Sequence, residues 1–71
     1  MPKLPRISGA EAVRVLEQLG FSKVRQKGSH VVMRSGSRGC VVPLHAELKI
    51  GTLAGLLRQA EVSADEFMAN L

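Results

Sequence analysis

Two closely spaced turn signals constrain this chain more than any other feature. Gly28-Ser29 is the first and Ser35-Gly36-Ser37-Arg38-Gly39 the second. The segments around them, Phe21 to Lys27, His30 to Arg34 and Cys40 to Val42, are short and carry the alternation of strands. A parallel crossover takes about a dozen residues or more, so strands joined this tightly must pair antiparallel, as a meander. Pro43 ends the third strand. Alternation then sorts the second strand: Val31 and Met33 form one apolar face, and His30, Val32 and Arg34 form the other. The first face belongs against a core. The second places a histidine and an arginine pointing the same way.

Helices flank the meander. Ser8-Gly9-Ala10-Glu11 has capping-box spacing and leads into an apolar stripe of Ala12, Val13, Leu16 and Leu19. That predicts a helix from about Gly9 to Leu19, closed by Gly20 in a left-handed conformation. Leu44 to Lys49 reads as a polar connection, and Thr52 to Ala60 as a second helix burying Leu53, Leu56, Leu57 and Ala60. Ser63-Ala64-Asp65-Glu66 repeats the capping-box spacing, so a short third helix carries Phe67 and Leu71. The predicted order is α-β-β-β-α-α. Both longer helices are expected side by side on the Val31/Met33 face, leaving the His30/Arg34 face open: a two-layer α+β sandwich. At 71 residues the sequence is expected to form one domain, residues 1–71.

Composition narrows the function. Cys40 is the one cysteine, so no internal disulfide is expected; it reads as a small buried hydrophobe in a strand. The carboxylates sit on helices, mostly at caps, and no Cys/His spacing suggests zinc, so no metal and no cofactor are expected. No run approaches the roughly 18 apolar residues of a membrane span, and the N-terminal stretch lacks a signal-peptide core. The expectation is a cytoplasmic protein without membrane contact. A net charge of +4 points to an anionic partner. With no Trp or Tyr and only Phe21 and Phe67 aromatic, stacking of successive bases on rings is not expected. A nucleic acid would be held through phosphates and shape.

His30 is the leading candidate for chemistry. Histidine is the side chain best suited to proton transfer near neutral pH. His30 follows a Gly28-Ser29 turn, shares a face with Arg34, and has Arg25 and Lys27 on its hairpin neighbour. Gly28 is expected to let a backbone approach closely. Ser29, adjacent to His30 on a strand, faces the other way and is excluded as its nucleophile. His45, after Pro43, is either a supporting loop residue or a second proton-transfer or phosphate-binding group. Lys49 and the Gly51-Thr52 pair introduce the second helix, whose N-terminal amides suit a phosphate. Lys3 and Arg6 precede the first helix, and Arg38 completes the basic set of the hairpins. A solvated surface would account for scattered cations; their concentration on the sheet and at one helix start favours a phosphate-tracking surface.

Gly28-Ser29-His30, Val42-Pro43-Leu44-His45, Leu48-Lys49-Ile50-Gly51-Thr52-Leu53 and the stretch from Ser63 to Phe67, in this order and spacing, resemble the HicA-type (YcfA-like) toxins of bacterial and archaeal toxin–antitoxin pairs. The resemblance runs from about Lys3 to Phe67. It implies a fold like the double-stranded-RNA-binding domain, ribosome-independent mRNA cleavage, and inhibition by a HicB-type antitoxin. It also implies that His30 is the catalytic histidine. The Lys-Lys-x-Ala-Lys patch of duplex binders is absent from the second helix, where Leu53-Ala54-Gly55-Leu56-Leu57-Arg58 stands. RNA brings its own nucleophile, the 2′-hydroxyl, so the expected mechanism needs only a base, His30, and cations such as Arg34 and Lys27. The leaving oxygen would take its proton from water or from His45. The expected RNA-binding set is Arg25, Lys27, Gly28, Ser29, Arg34, His45, Lys49 and Thr52, with no metal. A non-catalytic RNA-binding module and a protein-interaction adaptor are the competing readings.

Overall fold

The computed structural model describes residues 4–71. Its elements run α1 (Gly9–Gln18), β1 (Ser22–Lys27), β2 (His30–Ser35), β3 (Arg38–Pro43), α2 (Ile50–Ala60) and α3 (Ala64–Ala69). The three strands form one antiparallel sheet in the order β1-β2-β3, open at both edges. The predicted meander and the α+β class are both present.

Local chemistry explains the boundaries. The Ser8 side chain accepts from the Glu11 amide at 3.1 Å, and the Glu11 carboxylate reaches back to the Ser8 amide, closing a capping box at the start of α1. At its end, the Gly20 amide donates to Glu17 and the Phe21 amide to Leu16, a Schellman pattern that the positive φ of Gly20 permits. Both hairpins turn on two residues, Gly28-Ser29 and Gly36-Ser37. The first residue of each turn has φ near +60°, where glycine carries no Cβ penalty. The second turn is thus tighter than the expected Ser35–Gly39 loop, because Arg38 and Gly39 already pair with Ser35 and Arg34.

Val31 and Met33 of β2 and Cys40 and Val42 of β3 lie buried against stripes from both longer helices: Ala12, Val13, Val15 and Leu16 from α1, and Leu53, Leu56, Leu57 and Ala60 from α2. α2 packs chiefly against β3, at that end of the sheet. Two expectations need correction. The Leu44–Lys49 connection is not polar throughout, since Leu48 is 1% exposed and joins the core while Leu44 packs on it. Leu71 follows α3 rather than riding on it and is exposed, whereas Phe67 is buried as expected. Among the described residues, no helix is long and apolar enough to cross a membrane.

Candidate RNA-facing surface

The pairing register fixes the sheet's outer face row by row. Lys27 sits opposite His30, which sits opposite Pro43; Arg25 opposes Val32, which opposes Val41; Arg34 opposes Gly39. Paired residues share a face, so Arg25, Lys27, His30 and Arg34 all project away from the core. Val32 and Val41 lie between them. All of β1 is exposed, and its register slips between Lys23 and Arg25, where Val24 bulges outward. Arg34 lies across β3 because Gly39 has no side chain: a β-carbon there would stand 3.4 Å from the Arg34 Cγ and 3.9 Å from its Nε.

The outer face is bounded by α2. A groove of about 620 Å³ runs between β3 and this helix, with His30, Val41, Pro43, Gly51, Thr52 and Gln59 among its walls. A second hollow of about 410 Å³ beside it contains Val32, Arg34 and Gly39, and shares Val41 and Gln59 with the first. His30 and Arg34 therefore open onto adjoining depressions, separated by about 13 Å of strand at the usual rise per residue. At the groove's end the first turn of α2 is uncapped. Lys49 makes no side-chain cap, the turn carries no acidic residue, and the Leu53 amide is the first to bond back, to Lys49. The preceding amides remain available to an anion.

Gly51 and Gly55 give this wall its shape. Together with Gln59 they form one ridge of α2 at four-residue spacing. A β-carbon at Gly51 would meet nothing within 4 Å, and one at Gly55 only the Arg58 guanidinium at 3.9 Å. Internal packing does not require glycine at either position, although a helix-interior glycine such as Gly55 costs about 0.5–1 kcal/mol relative to alanine.

The other expected site residues distribute unevenly. Gly28 is accounted for by its φ of +59° in the turn, not by a close approach, since the space around its α-carbon is open. The Ser29 carbonyl accepts from the Leu44 amide at 2.6 Å, extending the β2–β3 ladder by one bond and fixing the His30 backbone from both sides. His45 is exposed, and its carbonyl accepts from the Gly9 amide; the groove beside His30 does not include it. Lys49 lines a separate small hollow with Arg6 and Glu47, a pair joined by an exposed ion pair at 3.6 Å. Lys3 lies outside the described residues. Arg38 turns to the other side of the sheet, its guanidinium 5.2 Å from the centre of the Phe21 ring. Among the described residues, Arg25, Lys27 and Arg34 have no carboxylate at ion-pair distance, and no group of three acidic, His or Cys residues is placed to hold a metal.

Val41, Gly55, Arg58 and Gln59 are the residues sequence reasoning missed. The spacing Gly51-Gly55-Gln59 was the available signal, but the leucine stripe beside it dominates the helix pattern.

A small antiparallel sheet with one buried and one open cationic face, edged by a helix with a free N-terminus, defines a class of compact α+β domains suited to polyanions. The family description "HicA toxin of bacterial toxin-antitoxin" matches residues 9–62, from the start of α1 to just past α2. The chain belongs to the HicA toxin family, as the toxin half of a toxin–antitoxin pair. No curated protein matches it.

Proposed function

We propose that this toxin is a metal-independent endoribonuclease that cleaves mRNA in the cytoplasm, with His30 as general base. The observation that carries the reading is the position of His30. It stands exposed on the cationic sheet face, at a groove that also reaches Thr52 and the open first turn of α2.

In the proposed reaction the His30 imidazole takes the proton of a ribose 2′-hydroxyl. The freed oxygen attacks the adjacent phosphorus, and negative charge accumulates on a pentacoordinate phosphate. Lys27, paired opposite His30, and the first-turn amides of α2 supply positive charge and donors toward it, while Arg34, in the adjoining hollow, holds a phosphate further along the strand. The bond to the 5′-oxygen then breaks, and that oxygen takes a proton from water, because His45 does not line the groove. The products are a 2′,3′-cyclic phosphate and a 5′-hydroxyl. Arg25, Lys27, Arg34 and Thr52 form the main RNA-binding set. Ser29 and Gly28 shape the turn beneath it, while Lys49 and His45 contribute long-range charge and backbone support.

An antitoxin of the HicB type is proposed to silence the toxin by covering this face with acidic groups that mimic phosphates. Incubating the protein with an end-labelled unstructured RNA, with and without EDTA, tests the activity. Cleavage should persist in EDTA, leave the stated ends, and fail on a substrate with a 2′-deoxy sugar at the cut. Cleavage of that deoxy substrate would exclude the 2′-hydroxyl mechanism.

A further inference from the structure

We infer that the groove between α2 and β3 seats one unpaired nucleobase beside the phosphate that His30 serves, and that Gln59 reads the edge of that base. The inference rests on the RNA-cleaving reading above and goes beyond it to the selection of the cut site.

Three observations converge on the groove. It is an open hollow of about 620 Å³, roomy enough for one base. Its helix wall is opened at Gly51 and Gly55, two glycines that the chain's own packing does not require. Among the side chains of Thr52, Leu56, Arg58 and Gln59 on that wall, the two glycines leave places where a flat ring can lie close to the backbone. The opposite wall is Val41, which is 43% exposed, and Pro43, both apolar. A base lying there would rest one face on Val41 and Pro43 and bring the other near the helix backbone at the two glycines. Phe21 and Phe67 are buried in the core, so a base here cannot be stacked on an aromatic ring.

Gln59 stands at the far rim of the groove, exposed, and its carboxamide has no hydrogen-bond partner among the described residues. A carboxamide offers one donor and one acceptor side by side. It therefore complements a base edge presenting an acceptor next to a donor, as adenine does at N7 and N6. Gln59 also borders the hollow that contains Arg34, so it lines both depressions, the one at His30 and the one at Arg34.

The test is a map of cut sites on an RNA containing a randomised segment, made with wild type, Gln59→Leu and Gln59→Glu. Thermal melts confirm folding; Gln59 is on the surface, so all three should fold. Wild type should prefer one base next to the cut. Gln59→Leu should weaken that preference by about tenfold, the worth of one well-formed side-chain-to-base pairing. Gln59→Glu, which loses the donor and keeps the shape, should move the preference to a different base. A position effect confined to one base is something that loss of stability would not produce. Identical cut-site maps for the three proteins, or a wild type that shows no preference next to the cut, would overturn the inference while leaving the nuclease reading standing. A wild type that cuts no RNA would overturn both.

Discussion

The Gly9 amide donates a 2.9 Å hydrogen bond to the His45 carbonyl, and the Pro43–Leu44 backbone occupies the space that a side chain at Gly9 would need. This contact locks the start of α1 against the segment leaving β3. The Leu48 amide, bonded to the Ile7 carbonyl at 2.7 Å, closes the same seam further along. Gly9→Ala should therefore destabilise the protein by about 1–3 kcal/mol despite the better helix propensity of alanine, because the obstacle is backbone rather than a movable side chain. Urea denaturation checks it.

Gly55→Ala should do the opposite. The site has room for a methyl group, so the helix gains about 0.5–1 kcal/mol of stability. The same methyl narrows the groove, so RNA cleavage should slow. A higher melting temperature combined with lower activity is the expected pair of results, and a variant that melts higher with undiminished activity would show that the groove wall need not be open at Gly55.

Burial pushes the Cys40 thiol up to about 11 from an ordinary value of 9.0. The thiol should resist alkylation in the native protein at pH 8 and react readily in denaturant. Between pH 9 and 11 the unfolded chain loses this proton while the folded protein keeps it, so stability should decline across that window and be unaffected by Cys40 below it. Melting curves of wild type and Cys40→Ala over alkaline pH separate this contribution from the titration of lysines.

Arg34→Glu and Lys27→Glu should each weaken RNA binding by roughly tenfold at low salt, about 1.4 kcal/mol, and weaken antitoxin binding as well. RNA affinity should fall steeply as salt rises from about 50 to about 200 mM. Reversing Glu17, on the far side of α1's capping end and exposed, should matter little to either. Binding titrations at two salt concentrations decide the matter. An antitoxin indifferent to the Arg34 and Lys27 reversals inhibits from another surface.

The meander, both capping boxes and the two faces of β2 were legible because each rests on local chemistry: glycine at a positive φ, a Ser-x-x-Glu pair, strict alternation. The outer face of β2 could be assigned for the same reason. What could not be read was tertiary. Leu48 looks like part of a polar connection until the hydrogen bond to Ile7 draws it into the core. Arg38 belongs by sequence with Arg34, yet the pairing register sends it to Phe21 on the opposite side. The groove beside His30 depends on α2 lying against β3, a relation between distant segments that the leucine periodicity of α2 leaves undetermined. His45 follows a proline that fixes where it emerges, but only the fold reveals that its backbone rather than its imidazole makes the defining contact.

The most direct test of the account compares wild type with His30→Ala on a defined unstructured RNA, alongside growth of cells expressing each. His30 is exposed at the head of β2, so its loss should change stability by less than about 1 kcal/mol, verified by circular dichroism and thermal melting. The role of His30 as general base requires a folded His30→Ala protein that cuts no RNA and no longer arrests growth. A folded His30→Ala protein that cleaves RNA at the wild-type rate would contradict it.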